Sequence, residues 1–218
     1  MFRMSSGHFL SKEEFDLIEE NIVQLRFKKG ELLVKQGAKA THIIYLTKGM
    51  VKHYYEDPRG KNIILLIKKA PHLIGTANMF NDGMHITSIA AIEDCSACLV
   101  DMTVFEKILR KNNDFFINFF KLVTDEFKSS VFDFISFSHK QVNGRIADIF
   151  LYFSSQLYRN AKFTLSLTRK EIAEYAGASQ ENVITILSKF DKEGIMKVDG
   201  KHIEILDFDR LKQISRLG

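Results

Sequence analysis

The stretch Leu167–Met196, "LTRKEIAEYAGASQENVITILSKFDKEGIM", decides how the chain is read. Thr168 with Glu171 three residues on is a capping box, so a helix starts there. Ile172, Ala173 and Ala176 form its inward stripe, and Gly177 permits the left-handed residue that ends it. Ser179 caps a second helix with Val183, Ile186, Leu187 and Phe190 buried. Gln180, Glu181, Asn182, Thr185, Ser188 and Lys189 are left facing outward.

Two helices joined by a short turn containing glycine make the helix-turn-helix pattern. Its second helix enters a major groove, with its first residues at base edges. Gln180 and Asn182 suit adenine, and Glu181 can accept from cytosine. Arg169, Lys170, Lys189, Lys192 and Lys201 are placed to meet phosphates, and Thr168 and Ser179 stand at the helix starts facing the same way. The same pattern also fits a plain helical hairpin with a solvated polar face. A hairpin reading, "MKVDGKHIEIL" with Asp199-Gly200 as its two-residue turn, follows directly and favours a winged helix. The last helix is expected over Asp207–Arg216.

Upstream, Gln141–Arg159 reads as a helix and Asn113 to about Ser138 as a long one. Phe116, Phe120, Val123, Phe127, Phe134 and Phe137 alternate by four and three, with Ser130 in the remaining place. That is a coiled-coil seam. It fits a dimer helix or a helix laid on its own domain. Phe115, Phe119 and Phe132 lie off the seam and could cover the preceding domain.

From Leu25 to Val100 the chain changes character. Short apolar runs ("GELLVKQG", "THIIYLTKG", "KNIILLIKK") alternate with glycine or Asp-Pro punctuation, as in an all-β sandwich or barrel. Ser11–Gln24 before it reads as a helix with a Ser11/Glu14 capping box, and Thr103–Arg110 after it as a short one. Ile89–Val100 reads as one strand. Cys95 and Cys98 then point to opposite faces, which suits two core cysteines better than a metal or redox pair.

The chain has 218 residues, a net charge of +4 and 45% apolar residues, the balance of a globular protein of one or two domains. No run approaches the roughly 18 apolar residues of a membrane span. The N-terminus "MFRMSSGHFLSKEEF" lacks the apolar core of a leader, so a cytoplasmic protein is expected. No nucleophile–base pair, metal cluster or phosphate loop is legible, so an enzyme is not expected.

Taken together, these segments resemble the CRP/FNR superfamily of bacterial transcription regulators. "KKGELLVKQGAKATHIIYLTKGMVK" looks like its first β-roll motif, and "LIGTANMF" with "SIAAIEDCSACLVD" like the second half. "NGRIADIFLYFS" resembles the helix that opens its DNA-binding domain. The resemblance implies an α+β chain: a double-stranded β-helix (jelly-roll) sensor over 1–112, a dimerisation helix and hinge over 113–140, and a winged helix-turn-helix over 141–218. It implies a homodimer on an inverted repeat of double-stranded DNA, with RNA polymerase and a small-molecule effector as further partners.

The site residues depart from the family. Cyclic-AMP binders carry Gly-Glu where this chain has Gly75-Thr76, and Arg-Ser where it has His85-Ile86. The Thr-Ser contact of the long helix falls on Ser130 and Val131, with Phe127 one turn before. No fixed cationic fork remains for a cyclic phosphate, so no response to cyclic AMP is expected. No cysteine precedes Cys95, so no iron–sulfur cluster is expected; His42, His53, His72 and His85 are haem candidates in kind only, and haem is not expected. On the recognition helix, Gln180 and Thr185 stand where many members have arginine, so the operator should differ from the familiar palindromes. The alternative, from another class, is a cyclic-nucleotide-type module that regulates a protein partner.

Overall fold

The computed structural model describes residues 9–80 and 83–218. Residues 1–8, part of the N-terminus read above for a leader, lie outside them. Two compact units result: the first ends at Ser129, and the second comprises Asn62–Ile64 and Ser130–Gly218.

The first unit opens with α1 (Lys12–Glu20), held by the expected Ser11/Glu14 capping box. Among the described residues eight strands follow, the start of the fifth being grouped with the second unit: β1 (Ile22–Phe27), β2 (Leu32–Val34), β3 (His42–Lys48), β4 (Met50–Glu56), β5 (Asn62–Lys69), β6 (His72–Ile74), β7 (Ser88–Ala91) and β8 (Cys95–Asp101). They form two four-stranded sheets, ordered β1-β8-β3-β6 and β2-β7-β4-β5. First pairs with last and second with second-last, the nesting of a jelly roll. Helix α2 (Met102–Lys111) and the start of α3 (Asn113–His139) lie against the first sheet.

Burial follows the pleat. Ile44 and Leu46 of β3 join Val51, Ile89, Cys95 and Ala97 between the sheets. Ile43 and Tyr45 point the other way and meet Ile18, Phe105, Ile108, Phe115 and Phe119 from the helices. Phe105 takes both Phe115 and Phe119 edge-on, with centroids 5.5 and 5.6 Å away, the geometry aromatic quadrupoles favour. Cys95 belongs to one core and Cys98 to the other, both buried and free, as their spacing implies.

Three expectations for this unit need correction. The first helix stops at Glu20 rather than Gln24, because Ile22–Phe27 pairs along its whole length with Val100–Cys95. Ile89–Val100 is two strands in different sheets, not one, with Ile92–Asp94 crossing between them. The crossing carries no glycine of its own. The opposing corner supplies it: at Gly49, between β3 and β4, a Cβ would sit 2.6 Å from both the Asp94 carbonyl and the Cys95 sulfur. Phe132, placed above as a possible cover for the β domain, is exposed, whereas Phe115 and Phe119 do cover it.

The second unit holds α4 (Val142–Tyr152), β9 (Lys162–Thr164), α5 (Arg169–Ala176), α6 (Gln180–Lys192), β10 (Met196–Asp199), β11 (His202–Ile205) and α7 (Phe208–Leu217). Strand β11 lies between β10 and β9, antiparallel to both. The helix expected over Gln141–Arg159 ends as α-helix at Tyr152 and widens into one π-type turn, Phe153–Leu157. Ser155 bonds back to the Leu151 carbonyl (2.8 Å) there, and Phe153 and Leu157 are both buried. The wing turn is Gly200-Lys201, one residue later than expected, since Asp199 pairs with His202. Glycine thereby takes the first loop position, where positive φ is required.

Candidate nucleic-acid interface

The corner has the geometry its sequence encodes. The Thr168 hydroxyl accepts from the Glu171 amide at 3.1 Å, and the Glu171 carboxylate accepts from the Thr168 amide at 2.8 Å. Gly177 ends α5 at φ 60°, ψ 44°, a left-handed residue. Ser179 then caps α6 by accepting from the Asn182 amide at 3.1 Å. Ile172, Ala173, Ala176, Val183, Ile186, Leu187 and Phe190 are all buried.

That burial leaves Gln180, Glu181, Asn182, Thr185, Ser188 and Lys189 exposed on α6, all as expected from the sequence. Donors of the helix N-terminus, its own amide first and then the Ser179 side chain, hold the Glu181 carboxyl below its ordinary range. It therefore stands ionised as an acceptor. Lys189 is exposed but 3.9 Å from Glu193 one turn on, and Lys201 is exposed at the wing turn.

Three of the predicted contacts are also structural. The Thr168 and Ser179 hydroxyls serve as caps. Arg169 is half-buried and donates from Nη2 to the Gly200 carbonyl at 2.6 Å, which ties α5 to the wing turn.

Two residues that support the corner, Arg145 and Asp148, were not singled out from the sequence, and a third, Phe137, was read there as part of the α3 seam. Arg145 of α4 donates to the Ala176 carbonyl from Nε (2.7 Å) and to the Lys140 carbonyl from Nη1 (2.7 Å). Its guanidinium lies 5.1 Å from the ring centre of Phe137. Phe137 packs on the turn itself, where a Cβ at Gly177 would come 2.3 Å from its ring. Gly177 is thus needed twice, for its backbone and for its missing side chain. The end of α3 is further bound by Asp148, which takes Lys140 Nζ at 2.7 Å and the hydroxyls of Ser136 and Ser215 at 2.5 Å each. Arg145's partners are backbone carbonyls, which leave no pattern in a sequence.

The sensor positions separate into two groups. Gly75 (φ 94°) starts a short 3-10 turn, Thr76–Asn78. The Thr76 hydroxyl donates to the Glu126 carboxylate of α3 at 3.4 Å, and Glu126 lies 3.5 Å from His72 Nε2. His85 is buried against Asn78 of the same turn, 2.9 Å away, and burial lowers its pKa. Gly75, Thr76 and His85 therefore gather around one turn. Ile86 points outward (72% exposed), as does Phe127 (70%), and Ser130 and Val131 are exposed on α3 in the second unit. Glu126, His72 and Asn78 were the residues missed here; nothing in their spacing marks them.

The seam of α3 is largely open to solvent. Phe120, Phe127 and Phe134 are exposed, Phe116 is partly so and stacks on Phe120 with centroids 6.1 Å apart. Val123 turns instead towards the core of the first unit. No helix among the described residues is long and apolar enough to cross a membrane.

Residues 144–214 match the family described as Crp-like helix-turn-helix domain, and residues 24–112 match the cyclic nucleotide-binding domain family. The chain is 25% identical over 213 residues to the fumarate and nitrate reduction regulatory protein of Escherichia coli (strain K12), covering 94% of this chain and 84% of that one. Identity to the same regulator of Vibrio cholerae is 26% over 212 residues, with the same coverage. Among solved structures it is similar to FixK2 from Bradyrhizobium japonicum, with a TM-score of 0.81 at 20% identity, covering 88% of this chain and 96% of that one. It is also similar to a CooA mutant from Carboxydothermus hydrogenoformans, with a TM-score of 0.75 at 21% identity, covering 94% and 92%. With a cyclic-nucleotide-binding roll, a long helix and a Crp-like helix-turn-helix in that order, the chain belongs to the CRP/FNR superfamily of transcription regulators.

Proposed function

We propose that the protein is a homodimeric, sequence-specific DNA-binding regulator whose α6 reads an inverted repeat. The observation that carries this is the exposed N-terminal half of α6, with Gln180, Glu181, Asn182 and Thr185 all outward. The open phenylalanine seam on α3 supports the dimer, since so large an apolar face on one helix calls for a partner. The working division is a sensor over 1–112, a dimer helix over 113–140 and a reader over 141–218, acting in the cytoplasm on promoters with RNA polymerase. Random-site selection with the purified protein tests the reading. An enriched inverted repeat is expected, with half-sites about one helical turn apart. Glu181→Ala should relax one base position, and Lys189→Ala should flatten the salt slope by about one unit. No enrichment would overturn the proposal and leave the protein-regulating module as the better reading.

The effector is proposed to be a small molecule other than a cyclic nucleotide. A buried cyclic phosphate needs a cationic partner, and the matching turn offers Thr76, already turned to Glu126, and a neutral His85. Calorimetry with cyclic AMP or cyclic GMP at about 100 micromolar should show no binding; a dissociation constant of about ten micromolar or tighter would overturn this.

A further inference from the structure

Ile184 is 49% exposed, at the middle of α6. Among the described residues of α5 and α6 it is the one large apolar side chain left in solvent. Of its four neighbours on the helix surface one turn away, Gln180, Glu181 and Ser188 are exposed and polar, and Leu187 is buried. The buried stripe is complete without it, and a β-branched residue is a poorer helix former than the straight polar chains around it.

Single exposed apolar residues are ordinary on most surfaces. This one lies on the flank of the face that the proposed function assigns to the major groove, about 60° around the helix from Glu181 on one side and from the buried Leu187 on the other. There the thymine C5-methyl is the apolar feature of the base edges, and small apolar groups recognise it. A β-branched side chain in a helix is confined almost to one χ1 rotamer, so its methyl groups are held in place.

Resting on the DNA-reading role proposed above, we infer that Ile184 reads a thymine methyl in each half-site. Ile184 lies three residues after Glu181, about 4.5 Å further along the helix axis, against about 3.4 Å between stacked base pairs. The thymine therefore lies one or two base pairs from the position that Glu181 reads. Ile184 is in this account a specificity residue, contributing shape and apolar contact where its neighbours contribute hydrogen bonds.

The experiment uses the full chain and the duplex enriched by site selection. Each thymine is replaced singly by deoxyuridine, which deletes the methyl and keeps every hydrogen-bonding group. One substitution per half-site, beside the Glu181-sensitive position, should weaken wild-type binding about three- to fivefold, the worth of one buried methyl. Ile184→Ala should lose a similar factor on the thymine duplex and be indifferent to the uracil replacement. Ile184→Val should keep part of the difference. The inference is overturned if every uracil replacement leaves wild-type affinity within about twofold, or if Ile184→Ala still discriminates thymine from uracil. Thermal melts of the variants, expected to match the wild type at this exposed site, separate a reading defect from a folding defect. A selection that enriches no sequence would overturn the regulator reading itself. Enrichment without methyl dependence would overturn only the role of Ile184.

Discussion

Phe127→Glu should leave the protein monomeric at micromolar concentration, and should weaken operator binding by about a hundredfold or more. Phe127 is 70% exposed on the single chain, midway along a seam whose Phe120 and Phe134 are 57% and 70% exposed. Burying an aromatic side chain contributes about 1.5–3 kcal/mol, and a two-fold dimer makes each such burial twice. The variant removes both and sets two carboxylates against one another in a desolvated seam, where an unpaired charge is costly. A dimer that grips two half-sites gains from effective concentration, which the monomer forfeits. Phe132→Glu is the control. Phe132 is equally open (60% exposed) but lies five residues after Phe127, on the far side of the helix. Sedimentation should find Phe132→Glu dimeric and Phe127→Glu monomeric. An unchanged dimer for Phe127→Glu, or equal damage from both, would reject this seam.

The second expected effect is acid instability of the sensor roll. Burial pushes the His53 imidazole down to about 4, with Lys68 and His85 adding to it. It pushes His72 down to about 3, aided by His53 and Lys68 and outweighing the Glu126 carboxylate 3.5 Å away. The two rings meet edge-on at 6.2 Å. Both are neutral in the folded chain and would titrate near 6.5 when unfolded. The unfolded state therefore binds more protons below that value. The stability of the neutral pair is fully present above pH 6.5 and is lost as pH falls towards 4. The loss is roughly 3 kcal/mol per histidine by pH 4. Glu126 opposes it in part, because burial raises its pKa and the folded chain takes up that proton first. Urea midpoints measured from pH 7.5 to 4 should fall steeply below 6.5. His53→Gln and His72→Gln should each flatten the slope. A slope unchanged in both variants would show that the acid sensitivity lies elsewhere.

The sequence disclosed most where a local rule acts alone. Thr168/Glu171, Gly177 and Ser179 fix the corner through caps and one left-handed residue, so its helices and its outward face were legible. The spacing of Cys95 and Cys98 likewise told that they take opposite sides. Elsewhere a distant partner decided. Ile22–Phe27 carries a pattern compatible with helix, and the offered edge of β8 makes it a strand. The crossing at Ile92–Asp94 depends on a glycine more than forty residues earlier, Gly49. Glu126 reads as one more polar residue on a long helix until Thr76 and His72 are brought to it. The wing turn slipped by one residue because Asp-Gly and Gly-Lys both satisfy turn chemistry, and only the pairing of Asp199 with His202 separates them.

Phe137 on Gly177 gives the end of α3 a phase as well as a position. One inserted residue turns everything after it by about 100° about the helix axis. A single alanine added between Phe137 and His139 would keep every amino acid of the corner and still aim the ring away from the glycine. Two insertions would turn it further and carry it about 3 Å along the axis. Length changes in this part of the helix are thus constrained as the teeth of a gear are. Drift in related chains should be frequent in side-chain identity here and rare in residue count.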